Sequence, residues 1–277
     1  MTAQNAKTEV YDVMLPLSIW FGFCDDYRKV ILNCRHELIL NRARNSMNCV
    51  YGGKEDTISP EVKIKVSKLE WKMPHITLAD KVKLHMNNFI SKNKRITIQH
   101  RSWDLYVYPE LPQTTKHEWS VKTVSHLNKP RYVLVGLQRD KNNNKIADAS
   151  KFSGSKIKSV RLHLNSNVYP YHMHEVDIAA GRYSELYEAY ANIQSSYYNG
   201  AEEKNLFANN FGNFQKDVLF AFDTSRSDES ITNGAIDIRV EINAKENLSP
   251  KTTAYCLIIY ENNFTYSPFD GTVVGSM

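Results

Sequence analysis

"AIDIRVEIN" (235–243) places Ile236, Ile238, Val240 and Ile242 on one side of an extended chain and Asp237, Arg239, Glu241 and Asn243 on the other. Side chains of a strand point alternately to its two faces, so this segment reads as a strand with one face in a core and one in water. The same period of two recurs at "VKIKVSKLEWKM" (62–73), where the phase slips at Ser67-Lys68 as at a β-bulge, and at "SVRLHLNSNVYP" (159–170). "RYVLVGLQ" (131–138) and "AYCLIIY" (254–260) are apolar without alternation, the pattern of strands covered on both faces. "HELILNRA" (36–43), "DLYVYPEL" (104–111), "HEWSVKTV" (117–124) and "VLFAFDT" (218–224) bring the expectation to about nine strands.

Two segments carry helical spacing instead. "TLADKVKLHMNNFISKN" (77–93) reads as a helix capped by Thr77 with Asp80 at the third position. "RYSELYEAYANIQSSYY" (182–198) sets Tyr183, Leu186, Tyr187, Tyr190, Ile193 and Tyr197 on one stripe, expected to pack on a sheet rather than to line a ligand box. Strands this widely spaced, with helices in their crossovers, predict an all-β fold. The expected form is a jelly-roll β-sandwich of about eight main antiparallel strands with one or two short helices in its crossover loops.

Composition narrows the function classes. The 277-residue chain is 42% hydrophobic, long enough for a large sandwich. Its four cysteines, Cys24, Cys34, Cys49 and Cys256, show no metal or disulfide spacing, which suits a reducing compartment. The apolar run from Val13 to Phe23 is broken by Pro16 and ended by Asp25 and Asp26. It falls well short of the roughly 20 residues of a spanning helix, and its head lacks the basic character of a signal peptide. No membrane partner and no secretion by a signal peptide are expected. Net charge is +5, concentrated between Lys54 and Arg101, where eleven basic residues face five acidic ones. A weak nucleic-acid contact is one reading of that stretch; lysines on a solvated strand face are the plainer one.

Candidate chemistry is sparse. In "DKNNNKIAD" (140–148), Asp140, Asn142, Asn144 and Asp148 have the oxygen spacing that opens a calcium loop. Lys145 stands where glycine is needed and Lys151 where a bidentate glutamate belongs, so an Asn-rich turn explains the stretch better. His172 and His174 in "YHMHE" would share a face of a strand and form a weak metal pair. A metal-dependent jelly-roll enzyme at that pair, with Glu absent at the expected following position, is the third-ranked reading. There is no G-x-S-x-G, P-loop, dinucleotide fingerprint or H-E-x-x-H. Neither a catalytic residue nor a cofactor is expected, and the chain does not read as an enzyme.

Several segments in order resemble one family. "LPLSIWFGFCDDYRKVILNCRHELIL" (15–40), "WKMPHITLADKVKL" (71–84), "NKPRYVLVGLQRDKN" (128–142), "VLFAFDTS" (218–225) and "AIDIRVEINAKENLSPKTTAYCLIIYEN" (235–262) are similar to double jelly-roll capsid-like proteins of virus-like mobile elements. These are the Maverick/Polinton and large DNA virus major capsid relatives. The resemblance implies a second, C-terminal barrel, with residues 1–35 as the closing strand or linker of an upstream barrel and 36–277 as the jelly-roll domain. It implies a structural, self-assembling protein of a virion shell, made in the host cytoplasm or nucleus, with homotrimeric capsomers. The sequence leaves three readings of the first barrel open: the chain is a fragment of a longer protein, a split-gene product whose partner chain supplies that barrel, or a shortened single-barrel relative. By the resemblance, Leu15, Leu17, Ile19, Trp20 and Phe21 lie in an inter-barrel interface, and Tyr183, Tyr187 and Tyr190 seal a barrel end or a subunit contact. The loops 140–155 and 198–216 would carry contacts. The rival is a β-sandwich binding module for a carbohydrate or other ligand.

Overall fold

The computed structural model describes residues 10–44, 46–49, 64–123, 129–141, 143–144, 146–154, 156–172, 175–198, 210–226 and 236–275. Among the described residues there are nine strands: β1 Ile96–Tyr108, β2 Lys116–Val121, β3 Pro130–Arg139, β4 Ile157–Leu164, β5 Asn167–Tyr169, β6 Leu219–Asp223, β7 Ile238–Ala244, β8 Thr252–Tyr266 and β9 Val273–Gly275. The helices are α1 Gly22–Asp26, α2 Asp80–Ser91, α3 Ser184–Tyr197 and α4 Phe211–Phe214. One sheet has the order β1-β8-β3-β6, with β9 added beside β8; the other has the order β2-β7-β4-β5. All pairs are antiparallel. Strands β1 to β4 alternate between the sheets, β5 turns back beside β4, and β6 to β8 alternate again as the chain retraces its path, which is the jelly-roll winding.

The sheets differ in how their outer faces are made. In the β2-β7-β4-β5 sheet the alternation is clean. Trp119, Val240 and Leu162 stand in register and point inward, as do Val121, Ile238 and Leu164. Their neighbours Glu118, Arg239, His163 and Glu241 face water and pair with one another. The β1-β8-β3-β6 sheet is apolar on both faces. Val133, Val135, Cys256 and Ile258 are sealed in the sandwich, while Tyr132, Leu134, Leu257 and Ile259 face the other way. Helix α3 covers part of that outer face with Leu186, Tyr190, Ile193 and Tyr197, its ring reaching Tyr132 and Trp103. Phe152, from the β3–β4 connection, covers another part by meeting Tyr255 edge-on at 6.1 Å. The unbroken apolar runs of β3 and β8 are thus strands covered on both faces, as their sequences require.

Two expected strands do not form. Residues 36–43 and the described part of 62–73 carry no strand, and Ile39, Val66 and Leu69 are exposed. Their alternation is real, yet a strand also needs a neighbour to take its backbone bonds, and none is present among the described residues. Val62 and Lys63 lie outside those residues. The helix near 77–93 begins later than expected, with Ala79 as N-cap and no side-chain cap, so Thr77 does not cap it. None of its residues is buried, and the stripe through Val82 and Phe89 faces solvent.

Gly136 is held by the outer cover. A Cβ there would lie 2.5 Å from the Phe152 ring and 3.0 Å from Leu219. Gly136→Ala should therefore destabilise the domain by about 1–3 kcal/mol in urea unfolding, and Phe152→Leu in the same chain should recover part of the loss.

Candidate functional site

The "FGFCDDY" segment (21–27) is where the N-terminal residues meet the barrel. Strand β1 is an edge of its sheet, so alternate backbone groups along it point away from β8. At Arg101 the outward N–H is taken by α1 and the carbonyl is covered by it. The Arg101 N–H donates to Asp26 Oδ2 at 2.8 Å. Gly22 packs so close that a Cβ would lie 2.2 Å from the Arg101 carbonyl oxygen. Only glycine allows that approach, which explains its position between Phe21 and Phe23.

The Arg101 side chain gathers three elements. Its Nε donates to both Asp26 oxygens at 3.0 Å, and Nη2 reaches Asp26 again and Asp25 at 3.3 Å. Nη1 donates to the Tyr197 carbonyl at 2.6 Å, at the C-terminal end of α3, where a cation is favoured. The guanidinium also lies 3.7 Å from the Tyr197 ring centre. Partial burial works to raise the Asp26 pKa, but the hydrogen bonds and charge of Arg101 outweigh it and hold the carboxyl below its ordinary value. Burial pushes the Tyr197 phenol up to about 12.

Beside this ion pair, Phe23 stacks on Tyr27 and meets His100 and Phe264. The His100 Nδ1 is buried without a partner among the described residues. Burial depresses the His100 pKa, and the Asp26 charge offsets only part of that. Further along, Asn33 donates from Nδ2 to the Pro268 carbonyl at 3.0 Å, tying the segment to the turn after β8. A polar cleft of about 290 Å³ opens next to the latch, lined among others by Gln99, Arg131, Glu261 and Asn263.

The residues ahead of the latch stay outside the core. Leu15 is 50% exposed and Trp20 44%, Phe21 is also exposed, and Leu17 and Ile19 are half-buried in a single turn of 3-10 helix. Of the tyrosines, Tyr183 and Tyr190 are buried, whereas Tyr187 is half-buried against Phe211 and Phe214. Asp140 pairs with Lys251, Asn144 donates to the Asp140 carbonyl, and Asp148 accepts from Ser150. Their bonds are spent within and beside their own turn, and Asn142 lies outside the described residues. His172 is exposed at an edge-on contact with Tyr171, and His174 lies outside the described residues. Among the described residues no three His, Cys, Asp or Glu side chains are grouped to hold a metal, and no helix is long and apolar enough to cross a membrane. Sequence reasoning passed over Arg101, His100 and the roles of Asp25 and Asp26. The available signal was a glycine between two phenylalanines followed at once by paired acids.

The family model described as "Double jelly roll-like domain" matches residues 1–263. The chain belongs to that family. Its two antiparallel sheets form the jelly-roll-like sandwich that the description names. Among solved structures, that of the Sputnik virophage aligns with a TM-score of 0.42 at 13% identity, covering 66% of this chain and 39% of that one. The mavirus major capsid protein aligns at 0.37 and 14%, covering 65% and 41%. The major capsid protein of bacteriophage PM2 aligns at 0.27 and 9%, covering 60% and 44%. The chain thus spans about two-fifths of the length of these structures. A comparison with curated protein sequences gives no match.

The latch is sensitive to acid. His100 docks neutral and its folded pKa is depressed, so its contribution is present above its ordinary value near 6.5 and is lost as pH falls below that. Asp26 docks ionised with a lowered pKa, so its contribution is present above 3.8 and disappears as pH falls through the folded value. Both act in one direction. Hydrogen exchange at the Arg101 amide, corrected for intrinsic rate, should speed up on acidification below about pH 6. Gly22→Ala should give the same loss of protection at neutral pH, and Asp26→Asn should weaken docking by about 1–3 kcal/mol.

Proposed function

We propose that this chain is a structural, capsid-like subunit that self-associates through the surface presented by its N-terminal residues. The observation that carries the reading is the contrast within one short segment. Residues 22–27 are locked onto β1 by Gly22, Asp26 and Arg101, while Leu15, Trp20 and Phe21 just ahead of them face solvent. An apolar group held in place at a surface, rather than trailing from it, has the properties of an interface core. The unpaired alternating segments 36–43 and 64–73 support the same reading, since each offers a strand to a neighbour. The Arg42 guanidinium donates to the Ile64 carbonyl, which brings the two segments together.

On this reading the segment before β1 belongs to the contact with a further barrel, and the assembled unit is a homotrimer of a virion-like shell. No residue is assigned a catalytic role. The exposed lysines of 64–95, including Lys65, Lys68, Lys72, Lys81 and Lys83, offer a salt-dependent contact to a packaged nucleic acid.

Light scattering on a sizing column is the direct test. The wild-type chain should elute as a trimer or larger particle. Trp20→Glu with Phe21→Glu should shift it to monomer with unchanged circular dichroism, because both side chains lie outside the core. A wild-type monomer at high concentration would sink the reading.

A further inference from the structure

The latch covers only one part of the edge of β1. The 13-residue strand pairs with β8 from Ile96↔Tyr266 to Tyr108↔Ala254 without a register shift. The Arg101 N–H and carbonyl point outward to α1, so by the two-residue repeat of a strand the groups of Trp103, Leu105 and Val107 point outward too. No described residue takes them. The side chains at this stretch are unprotected as well: Leu105 is 59% exposed and Val107 46%. A long apolar edge of this kind is a template for another strand, and residues 102–110 contain no lysine or arginine to discourage it.

We infer that this edge is a two-fold contact in which β1 of one copy pairs antiparallel with β1 of a second copy, centred on Leu105. The edge is self-complementary in that register. Leu105 meets Leu105 of the second copy, and Trp103 meets Val107, so each outward-pointing residue finds another. The three pairs exchange two backbone bonds each, and the Trp–Val pairs are of the aromatic and β-branched kind that stabilises sheets. Asp104 falls opposite Tyr106, so no acid faces an acid. Both ends of the stretch fit. Arg101, whose outward groups are already used by α1, falls opposite Pro109, which has no N–H to offer. Glu110 then takes a positive φ of 50°, turning the chain out of the strand direction before it could meet the partner's α1. The contact joins two sheets edge to edge and does not involve Trp20 or Phe21, so it stands apart from the N-terminal interface.

A cysteine scan of the full chain tests it. Hydrogen-bonded partners across an antiparallel pair have Cα atoms about 5.5 Å apart, within disulfide range. Leu105→Cys should give a 105–105 disulfide dimer on mild oxidation, identified by peptide mapping under non-reducing conditions. Val107→Cys should give at least tenfold less, because its two copies lie four residues out of register, about 13 Å apart. Adding Val107→Pro to Leu105→Cys should abolish the dimer. That proline removes an outward N–H and no bond to β8, and circular dichroism checks that the barrel remains. No 105–105 disulfide, or equal yields from positions 105 and 107, would overturn the register and the contact. Undiminished 105–105 yield in the Trp20→Glu, Phe21→Glu chain is the expected result; its loss would show that the edge does not pair independently.

Discussion

An antiparallel sheet that does not close leaves backbone groups unpaired along its outermost strands, and everything at the N-terminal side of this barrel is arranged around that constraint. Asp26 and Arg101, 75 residues apart in sequence, meet at the edge of β1. The carboxylate serves as acceptor for both the strand's own N–H and the side chain of the same residue. A sixth strand is therefore not needed at that point. The guanidinium is then free to reach the end of α3 on the outer face, so one residue joins the segment before the barrel, the edge strand and the covering helix. Removing either charge would leave the other partly buried, which is why the contact has more leverage than an exposed ion pair.

The apolar outer face of the β1-β8-β3-β6 sheet is the second constraint. A sandwich needs only one apolar face per sheet, and its partner sheet obeys that rule with Glu118, Arg239 and Glu241 in water. Helix α3 and Phe152 answer most of the excess, but on β1 the cover ends at Trp103, and Leu105 and Val107 beyond it remain bare. Cys256, fully buried on the other face, has its thiol pushed up to about 12 by burial and is packing rather than chemistry.

Much of this was legible in the chain. The alternation at 235–243 gave a central strand, and the continuous runs at 131–138 and 254–260 announced cover on both faces. The tyrosine stripe of 182–198 packs on a sheet as its spacing implies. The strands read at 36–43 and 62–73 show the limit of such reasoning. Periodicity reports how a segment would sit if paired, while pairing depends on a neighbour that local sequence does not name. The latch was hidden for the same reason. Asp26 and Arg101 have ordinary surroundings in sequence, and their partnership exists only once β1 has become an edge. The "FGFCDDY" motif was visible as part of a family resemblance, but its role could not be read without the strand it seals.

The clasp at Asn33 bears on mechanics. Asn33 holds the Pro268 carbonyl just after β8, and Asp26 holds Arg101 on β1, so the segment leading into the barrel is fastened to both members of the longest strand pair in the molecule. Tension applied through residues ahead of the barrel is therefore shared between two neighbouring strands at the same end. Peeling one strand from its sheet would require the clasp or the ion pair to yield first. Load entering through that segment spreads into a broad area of sheet instead of unzipping a single edge strand.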